Sequence, residues 1–142
     1  MARVPQSCVG LGRRLSQPIT VAMSGALAVS AVVVRDPHVT GSWGACPFFS
    51  STGLYCPACG GLRAVNDLAH GRLAAAVHSN TLVVGMVTYA VLLWGIWTVY
   101  RIRGAQLRFN RWLSPAVMAG FVVVAVVFAV LRNLPAVNWP AP

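Results

Sequence analysis

Residues 82–100 decide the fold, and they read LVVGMVTYAVLLWGIWTVY. The uncharged sequence extends on both sides, because no Asp, Glu, Lys or Arg lies between Arg72 and Arg101. An α-helix rises about 1.5 Å per residue, so about 20 apolar residues cross a hydrocarbon core of about 30 Å. The segment therefore predicts a membrane-spanning helix, whose backbone polar groups are satisfied within the helix itself.

Two further apolar stretches have the same character. Residues 19–34 and 116–131 are free of charged side chains, and the second contains the β-branched run FVVVAVVF at 121–128. Its length and its lack of polar alternation favour a lipid-facing helix over a strand. The chain is 57% hydrophobic and only 9% charged, whereas about a quarter of the residues of a soluble domain are charged. We predict an all-α membrane protein with three transmembrane helices, plus an amphipathic or interfacial helix in the long first connection.

The apolar stretches divide the chain into three parts. Pro5, Gly10 and Gly12 predict that residues 1–17 form a flexible cytoplasmic leader. We expect residues 18–134 to form a single membrane domain and residues 135–142 to form a short tail. The first apolar stretch also has the basic flank and small residues of a signal peptide. Because it is longer than the usual signal core of about 7–15 residues, we predict that it is retained as an anchor.

The net charge of +9 arises from 11 basic residues, all of them arginine, against 2 acidic residues. The arginines stand singly or in small groups at the ends of the apolar stretches, as topology anchors do, which disfavours nucleic acid as a partner. More arginines lie before the first span or between the second and third spans than lie in the first connection or after the last span. The larger group comprises Arg3, Arg13, Arg14, Arg101, Arg103, Arg108 and Arg111. The smaller group comprises Arg35, Arg63, Arg72 and Arg132. The positive-inside rule then predicts a cytoplasmic N-terminus and an extracytoplasmic first connection.

The first connection contains a cysteine motif and a helix within residues 39–80. From Gly60 onward, apolar residues recur at spacings of three and four, which marks one face of an amphipathic helix that breaks at Gly71. The apolar face comprises Leu62, Val65, Ala69, Leu73, Ala76 and Val77, and the polar face comprises Arg63, Asn66, Asp67 and His70. The aromatic residues of the preceding loop predict that it packs on the membrane surface or against the helices.

Three of the four cysteines lie together in CPFFSSTGLYCPACGG, residues 46–61. Cys56 and Cys59 form a C-x-x-C motif, whose spacing brings two sulfurs close enough to share a metal ion or to close a disulfide. The predicted helix begins directly after the motif, and a helix N-terminus lowers the pKa of a nearby thiol. Cys46 is the candidate for a third ligand, a resolving thiol or a disulfide partner.

Four chemistries are open for this cluster. A structural disulfide suits an oxidising compartment but leaves one of the three thiols unpaired. A zinc site uses all three thiols, and its ligands would be Cys46, Cys56, Cys59 and His70, with His78 competing for the fourth place. Thiol–disulfide exchange, with Cys56 attacking and Cys59 resolving, would make the protein an enzyme, but the sequence offers no thioredoxin-like domain. The fourth possibility is that the cysteines remain free thiols, are lipidated, or serve only in packing.

Arg63 follows Cys59 by four residues and precedes Asp67 by four. The second spacing predicts an Arg63–Asp67 ion pair on one face of the helix. The alternative is that Arg63 holds a nearby thiolate in its charged form or binds an anionic headgroup. The sequence shows no hydrolytic triad, because Asp36 and Asp67 are its only acidic residues, and no phosphate-binding glycine loop.

The motif resembles that of an uncharacterised family of small bacterial integral membrane proteins, a domain of unknown function. The similarity covers roughly residues 43–100 and rests on Cys46-Pro47, Thr52-Gly53, Cys56-Pro57-Ala58-Cys59-Gly60, Arg63, Gly71-Arg72 and Asn80. Leu62 replaces the family's usual threonine, and Arg72 replaces its usual acidic residue. The resemblance implies a multi-pass protein of the bacterial inner membrane in which Gly60, Arg63 and Asn80 support the motif, but it implies no reaction.

We therefore expect a non-enzymatic membrane partner or scaffold whose cysteine cluster is held by a disulfide or a metal ion, with zinc as the candidate cofactor. The alternatives are a membrane thiol–disulfide exchange protein and a small transporter component. The spans show no clear intramembrane charge of the kind that transport pathways use. The expected partners are the lipid bilayer and either another membrane protein or a second copy of this chain.

Overall fold

The protein is an all-α structure. The computed structural model describes residues 6–105 and 114–134, with side chains from residue 14 onward, and these ranges contain no strand. The helices are α1 (Gln6–Val34), α2 (Pro47–Thr52), α3 (Gly61–Ala69), α4 (Leu73–Ile102) and α5 (Pro115–Asn133). The predicted fold class is confirmed. The short tail at 135–142, the first five residues of the leader, and Arg108 and Arg111 lie outside the described residues.

Three helices are long and apolar enough to cross a membrane, by length and composition: Arg14–Val34 within α1, Leu73–Ile102 and Pro115–Asn133. Their outer faces carry large apolar side chains that nothing within residues 14–105 and 114–134 covers. Leu27, Leu92 and Val123 are 68%, 60% and 60% exposed. Contact of such surface with water costs about 25 cal/mol per Å². The exposed faces therefore fit a lipid environment, and the three predicted spans correspond to these helices.

The first helix begins earlier than the sequence predicts. α1 starts at Gln6, so residues 6–17 are helical rather than irregular, and that part of the leader prediction is wrong. Glycine in a helix interior costs about 1 kcal/mol relative to alanine but does not by itself end a helix. The helix therefore continues through the glycines at positions 10 and 12 into the long apolar segment.

Pro18 lies inside α1, where its missing N–H leaves a carbonyl one turn earlier without a helical donor. That carbonyl belongs to Arg14, and the Nε of Arg101 donates to it at 3.3 Å. The indole Nε1 of Trp94 donates to the carbonyl of Pro18 at 3.1 Å. Side chains near the end of α4 thus satisfy the proline-disrupted turn of α1, so the two helices run past each other in opposite directions.

α4 is divided at Asn80, whose φ of −166° and ψ of 97° are extended rather than helical. Its Oδ1 accepts a hydrogen bond from the backbone N–H of Val83 at 3.0 Å, which is the geometry of a helix N-cap. The long apolar segment therefore starts afresh directly after Asn80. This agrees with the predicted span at 82–100 and places a short helical segment, residues 73–79, before it.

α3 packs against α4 and against the end of α1. The approach is close, because a Cβ added to Gly61 would lie 3.0 Å from Cγ2 of Val83. The helix predicted from Gly60 is present, but its buried residues include Asn66 and Asp67 from the polar face, whereas Leu62 is 40% exposed. In a bilayer, apolar side chains face outward at little cost, so polar groups gather inside.

Candidate metal centre

Cys46 is positioned by the short helix α2. Its carbonyl accepts the backbone N–H of Ser50 at 2.9 Å, so Cys46 is the N-cap residue of this helix. The chain then turns back at Gly53, whose φ of +71° is readily adopted only by glycine. Phe49 stacks on Tyr55 across the turn, with 4.8 Å between the ring centroids. The return brings Cys56 beside Cys46, with 3.5 Å between the two sulfurs.

The C-x-x-C motif closes a tight turn directly before α3. The backbone N–H of Cys59 donates to the carbonyl of Cys56 at 3.1 Å. In return, the N–H of Cys56 points at the sulfur of Cys59 at 3.3 Å, and the two sulfurs lie 2.8 Å apart. Gly60, with a φ of +76°, then starts the helix. The sulfurs of all three cysteines lie within 4.8 Å of one another, and all three are free thiols.

The three thiols differ in acidity. The backbone N–H of Phe49 and hydrogen bonds from the other two thiols lower the pKa of Cys46 from 9.0 to about 7. Burial, followed by hydrogen bonds to the neighbouring sulfurs, raises the pKa of Cys59 from 9.0 to about 12. At neutral pH Cys46 of the metal-free cluster is therefore about half thiolate, whereas Cys59 is protonated. A metal ion binding to all three sulfurs would displace the protons that remain.

The structure does not bring His70 into the cluster. Its Nδ1 lies 2.8 Å from the carbonyl oxygen of Asn66, and it is not one of the ligating groups gathered within 4.8 Å. His78 is exposed and is likewise not in that group, while the Nε2 of His38 pairs with Asp67 at 3.2 Å. Among the described residues the cluster therefore offers three ligands, all of them sulfur.

Asn80 holds the cysteine turn against α4. Its Nδ2 donates to the carbonyl of Pro57 at 2.8 Å and to the carbonyl of Cys59 at 3.0 Å. Asn80 is fully buried, so these bonds form away from water, where an unsatisfied amide would be costly. One side chain thus caps the spanning part of α4 and anchors both the middle and the end of the motif.

Two residues at the end of α5 complete the support, although neither is a predicted site residue. Nη1 of Arg132 donates to the carbonyl of Cys59 at 2.8 Å, and Nη2 points to the carbonyl of Ser79 at 3.4 Å. Arg132 is only 6% exposed, and its guanidinium lies over the rings of Tyr55 and Phe128. Its interpretation as a topology anchor is therefore wrong, because its charge is turned inward, onto the cysteine loop.

Asn133, the last residue of α5, binds the same loop. Its Oδ1 accepts the backbone N–H of Tyr55 at 2.9 Å, and its Nδ2 donates to the carbonyl of Tyr55 at 2.8 Å. The only sequence signal for Arg132 and Asn133 is a pair of polar residues directly after an apolar run. Such a pair is common at membrane interfaces, so the signal does not distinguish a loop anchor from an ordinary helix end.

The predicted Arg63–Asp67 pair does not form. The Nε of Arg63 donates to the carbonyl of Pro37 at 3.1 Å. Asp67 is 2% exposed, and its Oδ1 instead accepts Nη2 of Arg72 at 2.9 Å. Asp67 is on the buried side of α3, whereas Arg63 is on its outer side. Asp67 is therefore paired with Arg72, which follows the turn at Gly71, and not with Arg63.

Asp67 is the centre of a buried polar network. Its Oδ2 accepts the hydroxyl of Ser79 at 3.2 Å, and His38 and Arg72 approach its Oδ1. Next to it, Nδ2 of Asn66 donates to the carbonyl of Val32 near the end of α1 at 3.1 Å. A buried network of this kind is stabilising only when its members are satisfied. It fixes α3, and with it the end of the cysteine motif, relative to α1 and α4.

A cavity of about 690 Å³ adjoins the three thiols. All three cysteines line it, together with the aromatic residues Trp43, Phe49 and Tyr55 and the cation Arg63. Its volume is in the range of small-molecule sites, about 300–1,000 Å³. The thiol cluster is therefore open on the side that faces the cavity.

These features define a class of protein. It is a helical protein with three helices that fit a multi-pass membrane arrangement, and it has a cluster of three thiols in the connection between the first and second of these helices. Within this class, residues 46–96 match a family described as protein of unknown function (DUF2752). The match begins at Cys46 and includes Asn80, whereas Arg132 and Asn133 lie beyond it. It confirms the similarity to an uncharacterised domain family in the motif region. No curated protein and no solved structure matches the chain.

Proposed function

We propose that this is a membrane-embedded, non-enzymatic protein whose Cys46, Cys56 and Cys59 bind one thiophilic metal ion, with Zn²⁺ as the first candidate. The observation that carries this proposal is the meeting of three free sulfurs within 4.8 Å. A Zn–S bond is about 2.3 Å long, so two sulfurs on a tetrahedral zinc lie about 3.8 Å apart. The shorter sulfur–sulfur distances, 3.5 and 2.8 Å, require shifts of about 1 Å or less.

The odd number of thiols favours a metal ion over a structural disulfide. A disulfide joins two sulfurs and leaves the third unpaired beside it, where it can attack the bond and reshuffle it. A metal ion uses all three. The bonds from Asn80 and Arg132 to the Cys59 carbonyl also fix the main chain of the motif, as the surroundings of a metal site commonly do.

The proposal places the cluster on the outer side of a bacterial inner membrane. The excess of arginine before the first apolar span and between the second and third spans supports a cytoplasmic position for those segments. The cluster meets the end of α5 and the kink of α4, whereas Arg14 meets Arg101 near the far end of α4. A scaffold of this kind would act with another membrane protein or with a second copy of itself, and its exposed apolar helix faces provide the surface.

One observation favours thiol–disulfide exchange as a second candidate function. The sulfurs of Cys56 and Cys59 lie 2.8 Å apart in a C-x-x-C turn. In such an exchange, the two thiols would form a disulfide, giving two electrons and two protons to a partner disulfide, which would be reduced to two thiols. Cys56 would attack and Cys59 would resolve, as the sequence predicts.

Metal analysis of the full-length protein, purified in detergent under reducing conditions, tests the proposal. We expect about one zinc ion per chain, lost when Cys46, Cys56 or Cys59 is replaced by serine. Cys8→Ser is the matched control and should retain the metal. A protein that binds no Zn²⁺, Cd²⁺ or Cu⁺ above the level of the triple serine variant would refute the metal site. Accumulation of a mixed disulfide through Cys56 in Cys59→Ser would then favour exchange.

A further inference from the structure

The three sulfurs leave one coordination position on a tetrahedral metal ion unfilled. Structural zinc sites have four protein ligands, whereas sites with three keep the fourth open to water or to a bound molecule. None of the three histidines and neither aspartate joins the cysteines among the described residues. The fourth ligand must therefore come from another source.

The remaining cysteine cannot supply it within the same chain. Cys8 is in the first turn of α1, whereas α3, which directly follows the cysteine motif, bonds to Val32 and Pro37 near the other end of this helix. The 24 residues from Cys8 to Val32 (32 − 8) within one helix span about 36 Å at about 1.5 Å per residue. No side chain crosses such a distance.

The cavity beside the cluster is the open route to the metal position. It has about 690 Å³ of space and is lined by the three cysteines, by aromatic rings and by Arg63. Neither of the two acidic residues of the sequence, Asp36 and Asp67, is among the described residues that line it. The Nε of Arg63 is used by the Pro37 carbonyl, but its two terminal nitrogens have no hydrogen-bond partner within residues 14–105 and 114–134. The guanidinium therefore retains donors for an anion.

We propose that this cavity binds a small anionic thiol, whose sulfur completes the metal shell and whose carboxylate is held by Arg63. This inference rests on the proposed metal site and names the class of its ligand. Binding is a ligand exchange without electron transfer. The incoming thiol gives its proton to solvent, a sulfur–metal bond forms, and the water at the fourth position leaves. A soft metal ion already bound by three thiolates readily accepts a fourth sulfur.

The test uses full-length Cys8→Ser protein in lipid nanodiscs, loaded with Co²⁺ as a spectroscopic substitute for Zn²⁺. The protein is titrated with 3-mercaptopropionate, with the neutral thiol 2-mercaptoethanol and with propionate. We expect 3-mercaptopropionate to intensify the sulfur-to-cobalt absorption and to bind about tenfold more tightly than 2-mercaptoethanol, since hydrogen bonds between charged partners are the stronger ones. Propionate alone should leave the absorption unchanged.

Arg63→Gln should reduce the preference for the anionic thiol to about twofold or less, because the carboxylate loses its cation. Arg101→Gln, at the other end of α4, is the matched control and should keep the full preference. Unchanged absorption with every thiol, or equal binding of both thiols in the unaltered protein, would overturn the inference and leave the metal site standing. Absence of any thiolate–cobalt absorption before the titration would overturn both.

Discussion

The side chain of Asn133 is paired with the main chain of Tyr55, donating to its carbonyl at 2.8 Å and accepting from its N–H at 2.9 Å. This amide–backbone pair joins the last residue of α5 to the residue that precedes Cys56. The loop between Cys46 and Cys56 is therefore held at its end by a residue that lies 78 positions further along the chain. The position of the thiol cluster therefore depends on α5, which itself provides none of the three sulfurs.

Asn133→Ala should therefore destabilise the loop. Loss of two hydrogen bonds at half-buried groups is expected to lower the free energy of unfolding by about 1–3 kcal/mol. Denaturant unfolding in detergent micelles measures this change, and limited proteolysis should show faster cleavage between Cys46 and Cys56. Ser24→Ala is the control, because Ser24 bonds only within α1 on an exposed face. Equal effects of the two substitutions would contradict the role of the pair.

Asn80 offers a pair of substitutions that separates its two functions. Asn80→Asp keeps the Oδ1 acceptor for Val83 but loses the donor to Pro57 and Cys59, whereas Asn80→Ala loses both. We expect Asn80→Ala to lower the free energy of unfolding by about 1 kcal/mol more than loss of the two loop bonds alone would. About 1 kcal/mol is the usual contribution of an N-cap residue. Circular dichroism should show shortening at the start of the spanning helix in Asn80→Ala only. Identical helicity in the two variants would exclude the cap.

Arg132 should resist conservative replacement. Arg132→Lys keeps the charge, but lysine lacks the planar guanidinium that donates to two carbonyls at once. We therefore expect at least a severalfold loss of zinc affinity. Replacing residues that support metal ligands typically reduces metal affinity about 10–100-fold. Competition with a chromogenic chelator measures that affinity. Arg35→Lys is the control, because Arg35 lies over Trp43 away from the Cys59 carbonyl. Unchanged affinity in Arg132→Lys would show that its contact with Cys59 does not position the sulfurs.

The metal-free cluster should show two different acidities. With its pKa lowered to about 7, Cys46 becomes increasingly thiolate as the pH rises through 7, whereas Cys59, with its pKa raised to about 12, stays protonated up to alkaline pH. Because only the thiolate is nucleophilic, alkylation of Cys46 by iodoacetamide should reach half its maximal rate near pH 7. Site-resolved mass spectrometry in a Cys8→Ser background measures both rates. A midpoint near the ordinary value of 9.0 for Cys46 would contradict the described hydrogen bonds.

The spanning helices could be predicted from the sequence because each is a property of a single uninterrupted apolar run. The start of the middle span is predicted at residue 82 for the same reason, but the helix break and the cap at Asn80 are not part of that prediction. The cysteine cluster is also local, because ten residues and one glycine turn separate Cys46 from Cys56. The spacing rules of helices and turns are sufficient at this range.

The long-range supports could not be predicted. Arg132 meets Cys59 across 73 positions of sequence, and a single sequence contains no signal for that encounter. The Arg63–Asp67 prediction is wrong for another reason. It assumes that charges on an amphipathic helix face water, whereas in this protein Asp67 faces inward and Arg72 reaches it around the turn at Gly71. The burial of polar groups depends on which neighbours surround the helix, and that information lies in the tertiary fold.

The carbonyl oxygen of Cys59 receives one donor from Asn80 and another from Arg132. A single backbone atom of the cysteine turn is therefore the meeting point of two long helices that lie far apart in the chain. Any event that rotates this peptide, such as tightening of the sulfurs around an ion, pulls on both helices at once. A shift of this oxygen would accordingly be felt at the start of the spanning part of α4 and at the end of α5 together.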